Sequence, residues 1–177
     1  MENKTRSKTL KLALIGMMCA LTAVITWAFP IPMPATKGYI NFGDTIIFIS
    51  SALLGGIPGM IVGGIGSMLA DIIGGYMHWA LFTLVIKGIE GLMCGLIYVN
   101  LERLNRKISL FLAMLLSALW MVAAYYFAGA LMYGWAGSLA SVPGNLIQGA
   151  VSVGIAYALM LILTKIRPLQ SILDKLK

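Results

Sequence analysis

Long apolar stretches separated by clusters of basic residues constrain the fold of this chain more than any other sequence feature. Of the 177 residues, 60% are hydrophobic and only 11% are charged, which is too few to cover a soluble protein. Eleven of the thirteen lysines and arginines fall within residues 4–11, 103–107 and 165–177. Basic clusters beside apolar spans are typical of the cytoplasmic side of a membrane. The sequence therefore predicts an all-α integral membrane protein with all three clusters in the cytoplasm.

The apolar segments predict one domain, residues 1–177, with six transmembrane helices. A hydrocarbon core of about 30 Å needs roughly 20 helical residues at 1.5 Å per residue. Pro30 ends the first helix and Pro143 begins the last, because proline is tolerated in the first turn of a helix and not in its interior. Six crossings place both termini in the cytoplasm and residues 127–142 outside. The predicted helices cover residues of about 12–29, 44–55, 58–73, 80–99, 108–126 and 143–165.

The net charge of +7 would suit a nucleic-acid partner, but its distribution argues against one. The basic residues flank apolar spans, and they do not alternate with aromatic residues as on a nucleic-acid-binding face. We therefore predict no nucleic-acid partner and expect the lipid bilayer to surround the chain.

Residues 38–95 carry most of the ionisable side chains outside the basic clusters. A charge at the centre of a membrane helix costs about 2.5–3.5 kcal/mol, so such residues usually face the protein interior and mark functional sites. Lys87 and Glu90 are three residues apart on one helix and project from nearly the same face, which predicts an ion pair. Asp44 begins a predicted helix, where an N-cap role is the alternative explanation.

Polar and aromatic residues from the outer halves of the predicted helices would converge on an externally open pocket. Asn145 and Gln148 lie three apart at the start of the last helix, although hydrogen bonds between helices are the alternative explanation for them. Aromatic walls with a few amides and carboxylates suit a small, flat, polar ring compound. The predicted substrate-binding residues are Tyr39, Asn41, Asp71, His78, Trp79, Lys87, Glu90, Asn145 and Gln148.

Catalytic and nucleotide-binding motifs are absent from the sequence, so we predict that the chain is not an enzyme. There is a single histidine, neither cysteine has metal-ligand spacing, and no nucleophile elbow or phosphate-binding loop occurs. Asp44 and Asp71 would suit an intramembrane aspartate pair, but helix capping explains both positions. We predict no metal and no cofactor. The competing class is an autonomous proton-coupled secondary transporter of a small polar metabolite.

Small residues recur at four-residue spacing along the first predicted helix. Gly16 and Ala20 form one such pair, and Cys19 and Ala23 form another. Small-xxx-small spacing lets a second helix approach closely. The spacing alone leaves open whether that helix belongs to this chain or to a partner.

The stretches GYINFGD, ADIIGGY and HWALFTLVIKGIEG resemble the S components of energy-coupling factor (ECF) transporters. The similarity is greatest to the branch with riboflavin-, hydroxymethylpyrimidine- and pyridoxine-type proteins, and it is densest over residues 38–95. The resemblance implies a six-helix protein of the bacterial plasma membrane that binds a vitamin on its outer side with high affinity, here pyridoxine or hydroxymethylpyrimidine. It also implies a transmembrane T component and two ATPase subunits as partners. The T component would dock on Gly16, Cys19, Ala20 and Ala23.

Overall fold

The computed structural model describes residues 2–101 and 103–174, with side chains from residue 7 to residue 173 of those ranges. Lys175 and Lys177 of the predicted basic tail lie outside the described residues. Within those residues the chain folds into helices and one small β-hairpin. The elements are α1 (Glu2–Ala28), β1 (Ile31–Met33), β2 (Gly38–Ile40), α2 (Asp44–Leu54), α3 (Gly56–Ile73), α4 (Met77–Asn100), α5 (Arg106–Tyr133), α6 (Trp135–Leu139), α7 (Val142–Leu163) and α8 (Arg167–Asp174).

Five of the described helical segments are long and apolar enough to cross a membrane. They are Ser7–Ala28 in α1, Gly56–Ile73, Met77–Asn100, Arg106–Tyr133, and Trp135–Leu163, which joins α6 and α7. The chain is therefore an all-α, multi-pass membrane protein. α2 has only 11 residues, and at 1.5 Å per residue it is about 16 Å long. It ends at Gly55, whose φ of 98° few other residues adopt. Six crossings and the side of the termini stay predictions.

The fifth helix is longer than the sequence predicts. The prediction ended it near residue 126 and left residues 127–142 as an external segment, whereas α5 continues to Tyr133. Residues 127–133 contain no proline, so nothing in their backbone chemistry stops the helix. Gly134, with a φ of 79°, ends it and leads directly into α6.

Glycines bring α3 and α4 into backbone contact. A Cβ atom added to Gly63 would lie 2.3 Å from the carbonyl oxygen of Lys87. One added to Gly91 would lie 2.2 Å from the carbonyl oxygen of Gly59. Only glycine permits such an approach, as in other closely packed membrane helices. This contact fixes the height of Lys87 relative to α3.

The segment between α1 and α2 folds over one end of the helices. β1 and β2 pair antiparallel, with Ile31 opposite Ile40, and a turn at Pro34–Thr36 joins them. The hairpin is tied to α4 because the Trp79 Nε1–H group donates to the carbonyl oxygen of Thr36 at 3.2 Å. It also reaches α7, where a Cβ atom on Gly144 would lie 2.8 Å from the sulfur of Met33. The hairpin thus covers the polar interior described next.

Candidate ligand-binding site

Three fully buried charged side chains form one network between α2 and α4. Lys87 donates to Asp44 Oδ1 and, at 2.9 Å, to Glu90 Oε2. The exposed fractions are 1% for Lys87 and 0% for both carboxylates. Breaking a buried pair leaves an uncompensated charge, so the network holds the two helices together. The predicted pairing of Lys87 with Glu90 is present in this geometry.

Asp44 belongs to this network and does not cap its helix. Gly43 occupies the N-cap position of α2, and no side chain makes a capping hydrogen bond there. The second oxygen of Asp44 accepts from Gln148 Nε2 at 2.8 Å. The capping interpretation is therefore wrong, because the first residue of α2 points into the bundle and meets charges from α4 and an amide from α7.

The amides of Gln148 and Asn41 are also engaged within the protein. Gln148 Oε1 accepts from the backbone N–H of Asn41 at 2.9 Å, which ties the end of the hairpin segment to α7. Asn41 Oδ1 in turn accepts from the backbone N–H of Gly43 at 2.8 Å. Both side chains therefore hold the entry to α2 in place.

A small cavity of about 30 Å³, lined by polar and apolar residues, lies beside this network and beneath the hairpin. Its aromatic lining residues are Tyr39, Trp79 and Tyr125. One water molecule needs about 10–15 Å³ of cavity volume, so this cavity has room for only a few waters. The complete lining is Thr26, Met33, Thr36, Gly38, Tyr39, Asn41, Ser67, Asp71, Trp79, Thr83, Lys87, Tyr125, Ser141, Asn145 and Gln148.

Hydrogen bonds orient two of the aromatic side chains in the wall. The Tyr39 hydroxyl donates to Asp71 Oδ1 at 2.6 Å, and the Tyr125 hydroxyl donates to Thr83 Oγ1 at 3.1 Å. Burial, together with the neighbouring Asp71 carboxylate, raises the pKa of the Tyr39 phenol well above its usual range. Tyr39 therefore keeps its proton and remains a donor to Asp71.

The structure places seven of the nine predicted substrate-binding residues on the cavity, and two elsewhere. Tyr39, Asn41, Asp71, Trp79, Lys87, Asn145 and Gln148 line it. His78 is exposed, since neighbouring helical residues diverge by about 100° and Trp79 is the one that faces inward. Glu90 is buried behind Lys87 and reaches the cavity only through that ion pair.

Sequence reasoning missed the small hydroxyl residues of the wall. Ser67 lies four residues before Asp71 on α3, and Thr83 lies four before Lys87 on α4. Residues four apart share a helix face, so this spacing was a usable signal. Tyr125 also lines the cavity, and it was not among the predicted substrate-binding residues.

The predicted docking face on α1 divides into two parts. Gly16 and Ala20 are exposed, and a Cβ atom on Gly16 would meet nothing within 4 Å. Cys19 instead contacts α3, with its sulfur 3.7 Å from the carbonyl oxygen of Ile61, and Ala23 is only 8% exposed. Packing within the chain therefore accounts for the second pair, and the first pair stays available to a partner.

No group of three or more histidine, cysteine, aspartate or glutamate side chains that could hold a metal ion occurs among the described residues. The cavity wall itself offers hydrogen-bonding groups, charge and ring faces.

Comparisons with known proteins point to one family. The sequence model of the family described as ECF-type riboflavin transporter, S component, matches residues 6–165. A protein of Lactococcus lactis subsp. cremoris (strain MG1363), named thiamine precursor transporter HmpT, is 34% identical over 162 residues, covering 91% of this chain and 89% of the relative. An uncharacterized protein of Pyrococcus woesei is 39% identical over 142 residues, covering 80% of this chain and 93% of the relative.

Proposed function

The chain belongs to the family of ECF-type riboflavin transporter S components, and from this premise we propose that it is the high-affinity substrate-binding subunit of an ATP-driven vitamin uptake transporter. The proposed substrate is hydroxymethylpyrimidine or pyridoxine. The name of the Lactococcus relative, a thiamine precursor transporter, supports hydroxymethylpyrimidine of the two. The proposed partners are a T component and two ATPase subunits, since ECF S components in general work with such modules.

The observation that carries the proposal is a cavity lined by polar and aromatic side chains within an apolar helical bundle. Buried polar groups cost free energy unless they are matched, so a membrane protein keeps them where they serve a ligand or hold the fold. Drug-sized ligands occupy pockets of roughly 300–1,000 Å³, whereas this cavity measures about 30 Å³. A ligand of either size, a single six-membered ring or the three fused rings of riboflavin, therefore needs this space to widen on binding, and the cavity volume does not choose between them.

The contacts divide the lining into a supporting group and a recognition group. Lys87 pairs with Asp44 and with Glu90 behind it, and Gln148 bonds to Asp44 and to the backbone of Asn41, so we assign these residues to holding the wall in shape. Tyr39 and Trp79 offer ring faces on which a heteroaromatic ligand would stack. Asp71 and Asn145 provide the polar contacts, and His78 lies outside at the exposed start of α4.

We propose six crossings in the plasma membrane of a bacterial cell, with both termini in the cytoplasm. Residues 4–11 and 103–107 lie on the same side of the membrane only if the chain between them crosses the bilayer an even number of times. Because α1, α3 and α4 make three crossings, α2 must make the fourth. Impermeant thiol labelling of intact cells tests this, in a background without Cys19 and Cys94. Met77→Cys should be labelled and Asn105→Cys protected; the opposite pattern would invert the topology.

Mass spectrometry of the small molecule that copurifies with the detergent-solubilised chain tests the proposed substrate class. Hydroxymethylpyrimidine or pyridoxine is the expected result, and titration calorimetry should then show tight binding of that compound to the purified chain. Release of an unrelated metabolite, together with no binding of either vitamin precursor, would contradict the proposal.

An autonomous proton-coupled secondary transporter is the second candidate, because Asp44, Lys87 and Glu90 place ionisable groups inside the bundle. Reconstitution separates the two functions. The chain alone in proteoliposomes should not accumulate substrate in a proton gradient, and uptake should require the T component, the ATPases and ATP. Gradient-driven uptake by the chain alone would favour the second candidate.

A further inference from the structure

Most polar groups on the cavity wall already have hydrogen-bond partners within the protein, and the exceptions indicate what a ligand must supply. Tyr39, Trp79 and Gln148 are engaged as described above. Within the described residues, by contrast, Asp71 Oδ2, Thr26 Oγ1 and Ser67 Oγ are buried without a partner. The Asn145 side chain is 4% exposed and lines the cavity, and it makes no hydrogen bond within that part of the chain.

Among these unpartnered groups, Asp71 constrains the ligand most, because it is a carboxylate. It is only 3% exposed, and its single hydrogen bond with good geometry comes from Tyr39 to Oδ1. The Thr83 hydroxyl lies near the same carboxylate, but no hydrogen bond of acceptable geometry reaches Oδ2. The ion pairs of the described residues join Lys87 to Asp44 and Glu90, so none of them includes Asp71.

This environment favours one kind of ligand edge. An ionised carboxylate only accepts hydrogen bonds, and a buried charge is costly unless donors or a cation face it. A carbonyl oxygen or another acceptor of the ligand, placed next to Oδ2, would repel the carboxylate and leave Oδ2 without a donor. A ligand with two adjacent N–H groups would satisfy both carboxylate oxygens, since each oxygen has a second lone pair.

We infer that Asp71 is a specificity-determining residue, and that it selects a heteroaromatic ring bearing an amino group next to a ring nitrogen that is protonated when bound, the amidinium edge of an aminopyrimidine. The amino N–H and the ring N–H then both donate to the carboxylate, whereas an unprotonated ring nitrogen would face it as an acceptor. Asn145, from a different helix, contacts the polar substituent elsewhere on the ring because its amide both donates and accepts. Ser67, one turn before Asp71, lies on the same face of α3 and adds a hydroxyl to that edge. This inference rests on the proposed function and chooses the aminopyrimidine over the hydroxypyridine of pyridoxine.

The first test needs no variant. Titration calorimetry on the purified full-length chain compares 4-amino-5-hydroxymethyl-2-methylpyrimidine with its 4-oxo counterpart, which presents an acceptor where the amino group was, and with pyridoxine. The oxo compound should bind about 5- to 150-fold more weakly than the amino compound, the usual effect of one unmatched buried hydrogen bond. Equal affinity for the amino and oxo compounds would overturn the inference.

The failure of this inference is distinguishable from failure of the proposed function. Pyridoxine binding more tightly than the aminopyrimidine would overturn the inference and leave a vitamin-binding S component in place. Binding of none of the three compounds would overturn both.

The second test changes the recognition group itself. Asp71→Asn keeps the shape of the side chain but replaces one acceptor oxygen with a donor, so the preference for the amino over the oxo compound should fall at least tenfold or reverse. Ser117→Ala is the control: it removes another buried polar group that has no partner among the described residues, but one that does not line the cavity. The control should leave the preference unchanged, and thermal unfolding shows that each variant is folded. An unchanged preference in Asp71→Asn, or an equal loss in Ser117→Ala, would overturn the assignment.

Discussion

Replacing Lys87 with methionine should destabilise this protein more than any neutral surface change. Methionine nearly preserves the side-chain volume, so the loss comes from charge and hydrogen bonding and not from a cavity. Asp44 would keep its hydrogen bond from Gln148 at 2.8 Å. Glu90 would keep nothing, because Oε2 loses Lys87 and Oε1 has no partner among the described residues. Removing one partner of a buried ion pair typically costs about 3–5 kcal/mol, and we expect a loss in that range.

The free energy of unfolding is measured by SDS titration of the purified protein in mixed micelles. Lys107→Met, at an exposed position on α5, is the control and should change stability by no more than about 0.5 kcal/mol. Combining Lys87→Met with Asp44→Asn and Glu90→Gln removes all three charges and should recover at least half of the loss. A Lys87→Met protein within about 1 kcal/mol of the parent would refute the reasoning, as would a triple variant less stable than the single one.

Two further predictions follow from the helix contacts. Gly63→Ala should destabilise the protein by about 1–3 kcal/mol in the same assay, because its Cβ atom would lie 2.3 Å from the Lys87 carbonyl oxygen. The control is Gly154→Ala, whose Cβ atom would meet nothing within 4 Å and which should be neutral or slightly stabilising. Equal effects of the two substitutions would contradict the packing of α3 against α4. Ala20→Trp should reduce copurification with the T component and ATPases while leaving ligand affinity unchanged. The control Leu81→Trp, on the exposed face of α4, should reduce neither copurification nor ligand affinity. Normal assembly of the Ala20→Trp variant would exclude this docking face.

The sequence predicts the local parts of this structure well, because local chemistry determines them. The membrane class follows from the apolar composition and the basic clusters. The pairing of Lys87 with Glu90 follows from their spacing on a single helix. Seven of the nine predicted site residues line one cavity. Polar residues in an apolar membrane bundle usually face its interior, so they tend to lie near one another.

The contacts between distant segments could not be predicted in the same way. Asp44 meets Lys87 from 43 positions away and Gln148 from 104 positions away. The residue pattern within a single helix does not encode which other helix packs beside it, or how the two are aligned along their axes. The capping interpretation of Asp44 was locally reasonable and failed for this reason. His78 was misplaced by a finer effect, the rotation of about 100° between successive helical residues.

Titration of the purified chain with hydroxymethylpyrimidine, before and after Asn145→Ala, tests the central claim most directly. The Asn145 amide lines the cavity and makes no hydrogen bond within the described residues, so its removal should weaken binding without disturbing the charged network. The expected loss is about 1–3 kcal/mol, or roughly five- to 150-fold in Kd, while Asn100→Ala at the exposed end of α4 should bind as the parent does. Unchanged affinity in a folded Asn145→Ala protein would contradict the claim that this cavity is the ligand-binding site.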